Sequence, residues 1–119
     1  MGITLPPFDE HAEESVLGSL IIRGETIMDV EYIIQPLDFY LESNQFMYQS
    51  CLNLRSRRES INQTTISQEL KRMGKLDTAG GFGRFFYLIS ICPTSLDIVD
   101  YAKIVKLFCG RGVVIVQQN

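Results

Sequence analysis

The sequence predicts an all-α fold, a compact bundle of five to six short helices. Three observations predict it. Apolar residues recur at helical spacing in segment after segment, capping residues, Gly and Pro punctuate the segment ends, and strand alternation is absent from the first hundred residues. At 119 residues the chain is expected to build one core and to bury about 65% of its unfolded surface.

Asp9 or one of its neighbours is expected to start the first helix, with Glu10, Glu13 and Glu14 near the positive end of its dipole. Ala12, Val16, Leu17, Leu20 and Ile21 then form one buried stripe. Gly18 lowers helix propensity by about 1 kcal/mol relative to Ala, which a close helix crossing would explain. Arg23-Gly24 ends the element. A second helix is expected from Thr26 to Gln35, with Ile27, Val30, Ile33 and Ile34 on one side, stopped by Pro36. Leu37-Asp38-Phe39-Tyr40 reads as a short connection whose two aromatics plug the core. Ser43 is the expected cap of a third helix carrying Met47, Cys51 and Leu54, with Phe46 beside them, and Arg55 to Ser60 follow as an exposed end and loop.

Thr65-Ile66-Ser67-Gln68 fits a capping box for a fourth helix with Ile66, Leu70 and Met73 on its face, and Gly74 is its C-terminal stop. Gly80-Gly81 permits a sharp entry to a fifth helix, with Phe82, Phe85, Phe86 and Ile89 expected inward. Pro93 breaks the chain, and Thr94 with Asp97 opens a last helix carrying Ile98, Tyr101, Ala102 and Val105. Val113 to Val116 reads as a strand or a fraying end. The expected core includes Val16, Leu20, Ile33, Phe39, Met47, Leu70, Phe85, Leu88 and Tyr101.

Hydrophobic residues make up 45% of the chain and charged residues 21%, ordinary globular proportions that exclude a disordered class. No apolar run approaches the length of a membrane span, and Met1 to Pro7 lack the basic and apolar blocks of a secretory signal. Cys51, Cys92 and Cys109 are odd in number and without CxxC spacing, which fits reduced, mostly buried thiols in a cytoplasmic protein. The net charge of -3 hides an asymmetry: residues 1–42 carry -8 and residues 43–119 carry +5. Such a dipolar layout favours oriented association with a charged partner. A dedicated nucleic-acid binder would carry a basic excess overall.

The sequence offers no catalytic, cofactor-binding or metal-binding residues. The nearest approach to a phosphate loop, Gly74-Lys75, has Leu76 in place of the hydroxyl and Glu69 in place of the first glycine. Glu13 and Glu14 diverge as helix neighbours, so they read as a solvated face rather than an acid/base pair. His11, the one histidine, reads as a surface residue at a helix start. Arg55, Arg57 and Arg58, and separately Lys71, Arg72 and Lys75, are positive clusters that lack interleaved aromatics in the sequence, and read mainly as solvated faces. Thr65 through Ile89 superficially resembles a helix-turn-helix, but Phe85-Phe86-Tyr87 would read bases poorly.

Taken in order, several blocks resemble the N-terminal domain of DnaB-type replicative helicases. They are Pro6 or Pro7 with Ala12-Glu13-Glu14-Ser15-Val16-Leu17-Gly18, then Leu37-Asp38-Phe39-Tyr40, then Met47-Tyr48. Thr65 with Glu69-Leu70, Gly74-Leu76, Gly80-Gly81, Pro93-Thr94, Ile98 and Tyr101-Ala102-Ile104-Val105 complete the set. The chain departs from that pattern at His11, where glutamate is usual, at Asn44-Gln45, which replaces a His-Arg step, and at Arg84, which replaces a tyrosine.

The resemblance implies a non-catalytic assembly and interaction domain: self-association in a ring collar, docking of primase and helicase loader, and direct DNA binding weak or absent. It implies an N-terminal arm at 1–8, a helical head at 9–108, and a tail or the start of a helical hairpin at 109–119. The alternatives are the helicase-binding domain of a primase-like protein, whose fold is related, and a small helical DNA-binding domain.

Overall fold

The computed structural model describes residues 8–93 and 97–118, with 110–118 as backbone alone. Helix α1, Glu10–Ile22, is the central element. Asp9 caps it, its carboxylate accepting from the Ala12 N–H at 2.9 Å. The sequence predicts a single buried stripe, yet every residue from Ala12 to Ile21 is buried, because helices pack on α1 from several sides.

The second helix is much shorter than Thr26 to Gln35. A 3-10 turn at Gly24–Thr26 leads into α2, Ile27–Val30, and the chain then turns so that Ile34 is buried and Ile33 is half-buried. The Tyr48 hydroxyl donates to the Ile34 carbonyl at 3.0 Å, so a tertiary donor takes that acceptor instead of a further helical turn. Pro36 opens a second 3-10 turn, Pro36–Asp38, where its missing N–H leaves no bond unmade. Phe39 plugs the core as expected. Tyr40 does not: it is exposed and stacks on Phe8, ring centroids 4.6 Å apart.

Helix α3, Glu42–Ser56, starts from Leu41 rather than from a Ser43 cap. It buries Met47, Tyr48, Cys51 and Leu54 and packs on α4, Gln63–Met73. The capping box of α4 lies three residues before its expected place. Asn62 is the cap, with Asn62 Oδ1 accepting from the Thr65 N–H and Thr65 Oγ1 accepting from the Asn62 N–H, both at 3.0 Å. Gly74 ends α4 at φ 72°, in the left-handed region that favours glycine.

Helix α5, Gly81–Ile91, follows Gly80 and turns inward with Phe85 and Leu88. Phe82 and Phe86, expected inward, are exposed, and Ile89 is half-buried. Helix α6, Ile98–Gln118, buries Ile98, Ala102 and Val105 and packs on α1, while Tyr101 is half-buried against His11 with ring centroids 5.6 Å apart. Val113 to Val116 belong to this helix and not to a strand. A sequence that is β-prone in isolation continues as helix here from an already formed helix, whose propagation is easier than nucleation. Among the described residues there are six α-helices and no strand, so the all-α class holds. Thr94 and the segment 1–7 lie outside the described residues.

Gly18 sits where α1 and α5 cross. A Cβ there would stand 2.6 Å from the Leu88 carbonyl oxygen and 3.1 Å from Cys92 Cβ. Gly18→Ala is therefore expected to lower stability by about 1–3 kcal/mol despite its better helix propensity. Urea denaturation checks this, and an unchanged or raised midpoint would show that the crossing relaxes freely.

Candidate interaction surface

The polar interior of the domain is organised around two adjacent carboxylates of α1. Neighbouring positions on a helix project about 100° apart, so the two side chains reach different elements. Glu13 accepts from the Tyr40 backbone N–H at 2.8 Å and from Asn44 Nδ2 at 2.9 Å. Glu14 accepts from the Tyr87 hydroxyl at 2.9 Å and lies 3.7 Å from an Arg84 guanidinium nitrogen. Arg84 Nη2 also donates to Asn44 Oδ1 at 2.7 Å, which joins the two halves. The sequence reading placed both glutamates on a solvated face, but they are 1% and 4% exposed. They diverge as expected, and the divergence links two elements to α1. Burial pushes the Glu13 carboxyl above its ordinary range, opposed by the donors from Tyr40 and Asn44.

Asn44 and Arg84, two of the departures from the resembled pattern, are hydrogen-bonded to each other. Each supplies what the other needs, a donor at α5 and an acceptor at α3. His11, the third departure, is exposed, as expected.

A second cluster joins α3 to α4. Glu69, 5% exposed, accepts from Arg57 Nη2 at 2.6 Å and from Asn53 Nδ2 at 3.0 Å, with Arg72 at 3.6 Å. The Arg57 hydrogen bond holds the Glu69 carboxyl below the usual carboxylate range, against the effect of its own burial. Arg57 and Arg55 are thus paired, Arg55 with Glu31 at 3.3 Å, whereas Arg58 stands exposed at φ 59°.

The remaining cluster differs most from its reading. Tertiary structure brings aromatics to Lys71 on α4 and Lys75 just beyond its end: Lys71 lies over the Phe82 ring at 5.6 Å and Lys75 over Phe46 at 4.7 Å. Those rings come from α5 and α3, so no local sequence window contains both partners. The thiols carry no disulfide, and burial pushes the fully enclosed Cys51 up to about 12, far from a reactive thiolate. Among the described residues no group of His, Cys, Asp and Glu could hold a metal ion, and no helix is long and apolar enough to cross a membrane.

The domain is small and helical, with a polar interior devoted to packing and charged and aromatic groups on its surface. The model of the DnaB-like helicase N-terminal domain matches residues 5–107, and the chain belongs to that family. Curated relatives include the replicative DNA helicase DnaB of Leifsonia xyli subsp. xyli, 34% identical over 100 residues that cover 84% of this chain and 22% of that protein. The corresponding helicase of Mycobacterium leprae is 38% identical over 100 residues, 84% of this chain and 17% of the relative. The replicative DNA helicase DnaC of Bacillus subtilis is 32% identical over 102 residues, 86% and 22% of the two chains. The chain thus spans about a fifth of the length of these relatives. Among solved structures, the crystal structure of the N-terminal domain of DnaB helicase from Mycobacterium tuberculosis superposes with a TM-score of 0.88 at 35% identity, covering 94% of this chain and 81% of that one. A structure of a DnaB-like replicative helicase and its interactions with primase gives 0.76 at 26% identity, covering 92% and 26%.

Arg84→Ala would leave Glu14 and Asn44 buried without their partner. It is expected to destabilise the fold by about 2–4 kcal/mol, allowing for the partial exposure of Arg84. Lys106→Ala, which removes an exposed pair with Asp38, should change stability by about 0–1 kcal/mol. Thermal denaturation of both variants checks the contrast, and equal midpoints would remove the network from its organising role.

Glu69 and Glu13 have opposite pH signatures. Because the folded pKa of Glu69 lies below its ordinary 4.5, its contribution is present above that value and is lost as pH falls through the folded pKa. Glu13, raised by burial, disfavours the fold when ionised, and acidification relieves that penalty. Glu69→Gln should therefore be less stable near neutrality and show a shallower acid limb when unfolding is followed from pH about 6 to 3. An acid limb as steep as that of the unsubstituted chain would assign it to other groups.

Proposed function

We propose that this chain acts as a non-catalytic assembly and docking head of a replicative DNA helicase. In this reading, residues 9–108 form the head, with an arm at 1–8 and the base of a hairpin or linker at 109–119. The head contributes to a collar in a ring and receives primase and helicase loader. Membership of the helicase N-terminal family carries the reading, and a similar solved helicase whose interactions with primase are described supports the docking part of it. The buried carboxylates also fit: Glu13 and Glu14 are consumed by structural hydrogen bonds, so they have no free position from which to act as acid or base.

The head itself is expected to turn over no nucleotide and to bind DNA weakly. The test is titration of the purified chain with the helicase-binding domain of its cognate primase, alongside single-stranded and duplex DNA over a salt series. Saturable binding to the primase domain, with little affinity for either DNA, is the expected result. DNA affinity that exceeds primase affinity and falls steeply with salt would favour a DNA-binding domain instead. Nucleotide hydrolysis that survives repurification would overturn the non-catalytic part.

A further inference from the structure

A cavity of about 350 Å³ opens between the C-terminal ends of α1 and α5. Small-molecule sites occupy about 300–1,000 Å³, so it has room for a small ligand. Ser19, Ile22 and Arg23 line it from the α1 side, and Ile89, Cys92 and Pro93 from the α5 side. Cys92 ends α5 and is half-buried, with its Sγ 4.0 Å from the Ser15 carbonyl oxygen. The thiol therefore rests on the central helix while its residue borders the cavity.

Two groups at this cavity lack partners. Ser15 and Ser19 both have buried hydroxyls without a hydrogen-bond partner, and of the two only Ser19, 1% exposed, lines the cavity. An acceptor atom on a ligand would offset the cost of that unmade bond. Arg23, exposed at the end of α1, forms no ion pair among the described residues and is the one charged residue in the lining. The other two thiols differ. Cys51 is fully enclosed, and Cys109 sits against the Asp38–Lys106 ion pair, whose charges offset each other.

We propose that this cavity is a thiol-modification site, in which Cys92 exchanges with a small disulfide that carries a carboxylate on an apolar body. Arg23 takes the carboxylate, Ile22, Ile89 and Pro93 receive the body, and the Ser19 hydroxyl donates to a polar atom of the bound half. Cys92 loses its proton to solvent, and its sulfur attacks one sulfur of the disulfide. A new S–S bond forms as the reagent's own S–S bond breaks, and the other half leaves as a thiolate that takes up a proton. Cys92 is oxidised and the leaving half is reduced, so the disulfide itself is the oxidant.

Burial pushes the Cys92 thiol up, opposed by Arg23, which keeps its thiolate fraction low. Selectivity must then come from holding the reagent in the cavity rather than from an unusually reactive sulfur. The carbonyl ends of α1 and α5 by themselves disfavour an anion. A preference for anionic disulfides consequently hinges on the Arg23 guanidinium.

The test follows exchange of the full chain with two probes, the anionic dithiobis(nitrobenzoate) and the cationic cystamine. Intact-mass spectrometry with peptide mapping gives the rate at each thiol, in buffer and in urea, and circular dichroism checks each variant. Normalising to urea removes the intrinsic reactivity of the two probes. In the folded chain Cys92 should favour the anionic probe about tenfold more than it does in urea, a difference of about 1.4 kcal/mol. Arg23→Gln should abolish that excess, and Cys92→Ser should leave Cys109 with none of it. Ser19→Ala should shift the exchange equilibrium toward the free Cys92 thiol by about threefold or more.

First modification at Cys109, a preference no greater than in urea, or one that survives Arg23→Gln would each overturn the site. An exchange equilibrium untouched by Ser19→Ala would remove Ser19 from it. Modification that proceeds only with loss of the helical signal would show the probe reaching an opened chain, and would overturn the proposal equally.

Discussion

The rest of the domain depends on the burial of Glu13 and Glu14 in the middle of its central helix. An ionised carboxylate removed from water costs several kcal/mol unless donors replace its hydration. Adjacent residues cannot share one set of donors on a helix, so the pair must find two. Tyr40 and Asn44 serve Glu13, while Tyr87 and Arg84 serve Glu14. The Arg84–Asn44 bond then makes these one connected system across α1, α3 and α5. A slip of either outer helix by one residue would strand a buried charge, whereas a purely apolar contact would tolerate a range of positions.

Several otherwise separate features follow from that constraint. With Arg84 and Tyr87 directed toward Glu14, with Phe85 and Leu88 in the core and Ile89 packed against it, Phe82 and Phe86 of α5 face water. Close approach of α5 to α1 requires a glycine at position 18, where the Leu88 carbonyl leaves no room for a side chain. The Tyr40 N–H spent on Glu13 holds the connection after the second 3-10 turn, with Phe39 inside and Tyr40 outside. The aromatic surface thus results from the same packing that stabilises the interior.

In a domain built this way the adjacent carboxylates of α1 are taken up by structural hydrogen bonds. Its buried ionisable groups are engaged in structure, and its most enclosed thiol is held protonated by burial. Its surface includes acids with apolar neighbours around α2, and lysines that lie over the rings of Phe82 and Phe46. Family membership and the proposed docking role agree with this division. Interaction surfaces of this type combine apolar anchors with charges that select the partner.

Helical class, the Asp9 cap, the Gly74 and Gly80-Gly81 turns, and most core positions were legible in the sequence, because they rest on local spacing and on backbone preferences of single residues. The family was legible for the same reason, as ordered local blocks. Tertiary structure alone decided how long α2 is, which face of α5 turns inward, whether the β-prone Val113 to Val116 joins a helix, and whether Glu13 and Glu14 meet water. It also decided that Lys71 and Lys75 meet rings supplied by other helices. The physical reason is the range over which each choice is made. A cap is satisfied within four residues, but a carboxylate at position 14 is satisfied by a hydroxyl at position 87, and no periodicity along the chain records that encounter.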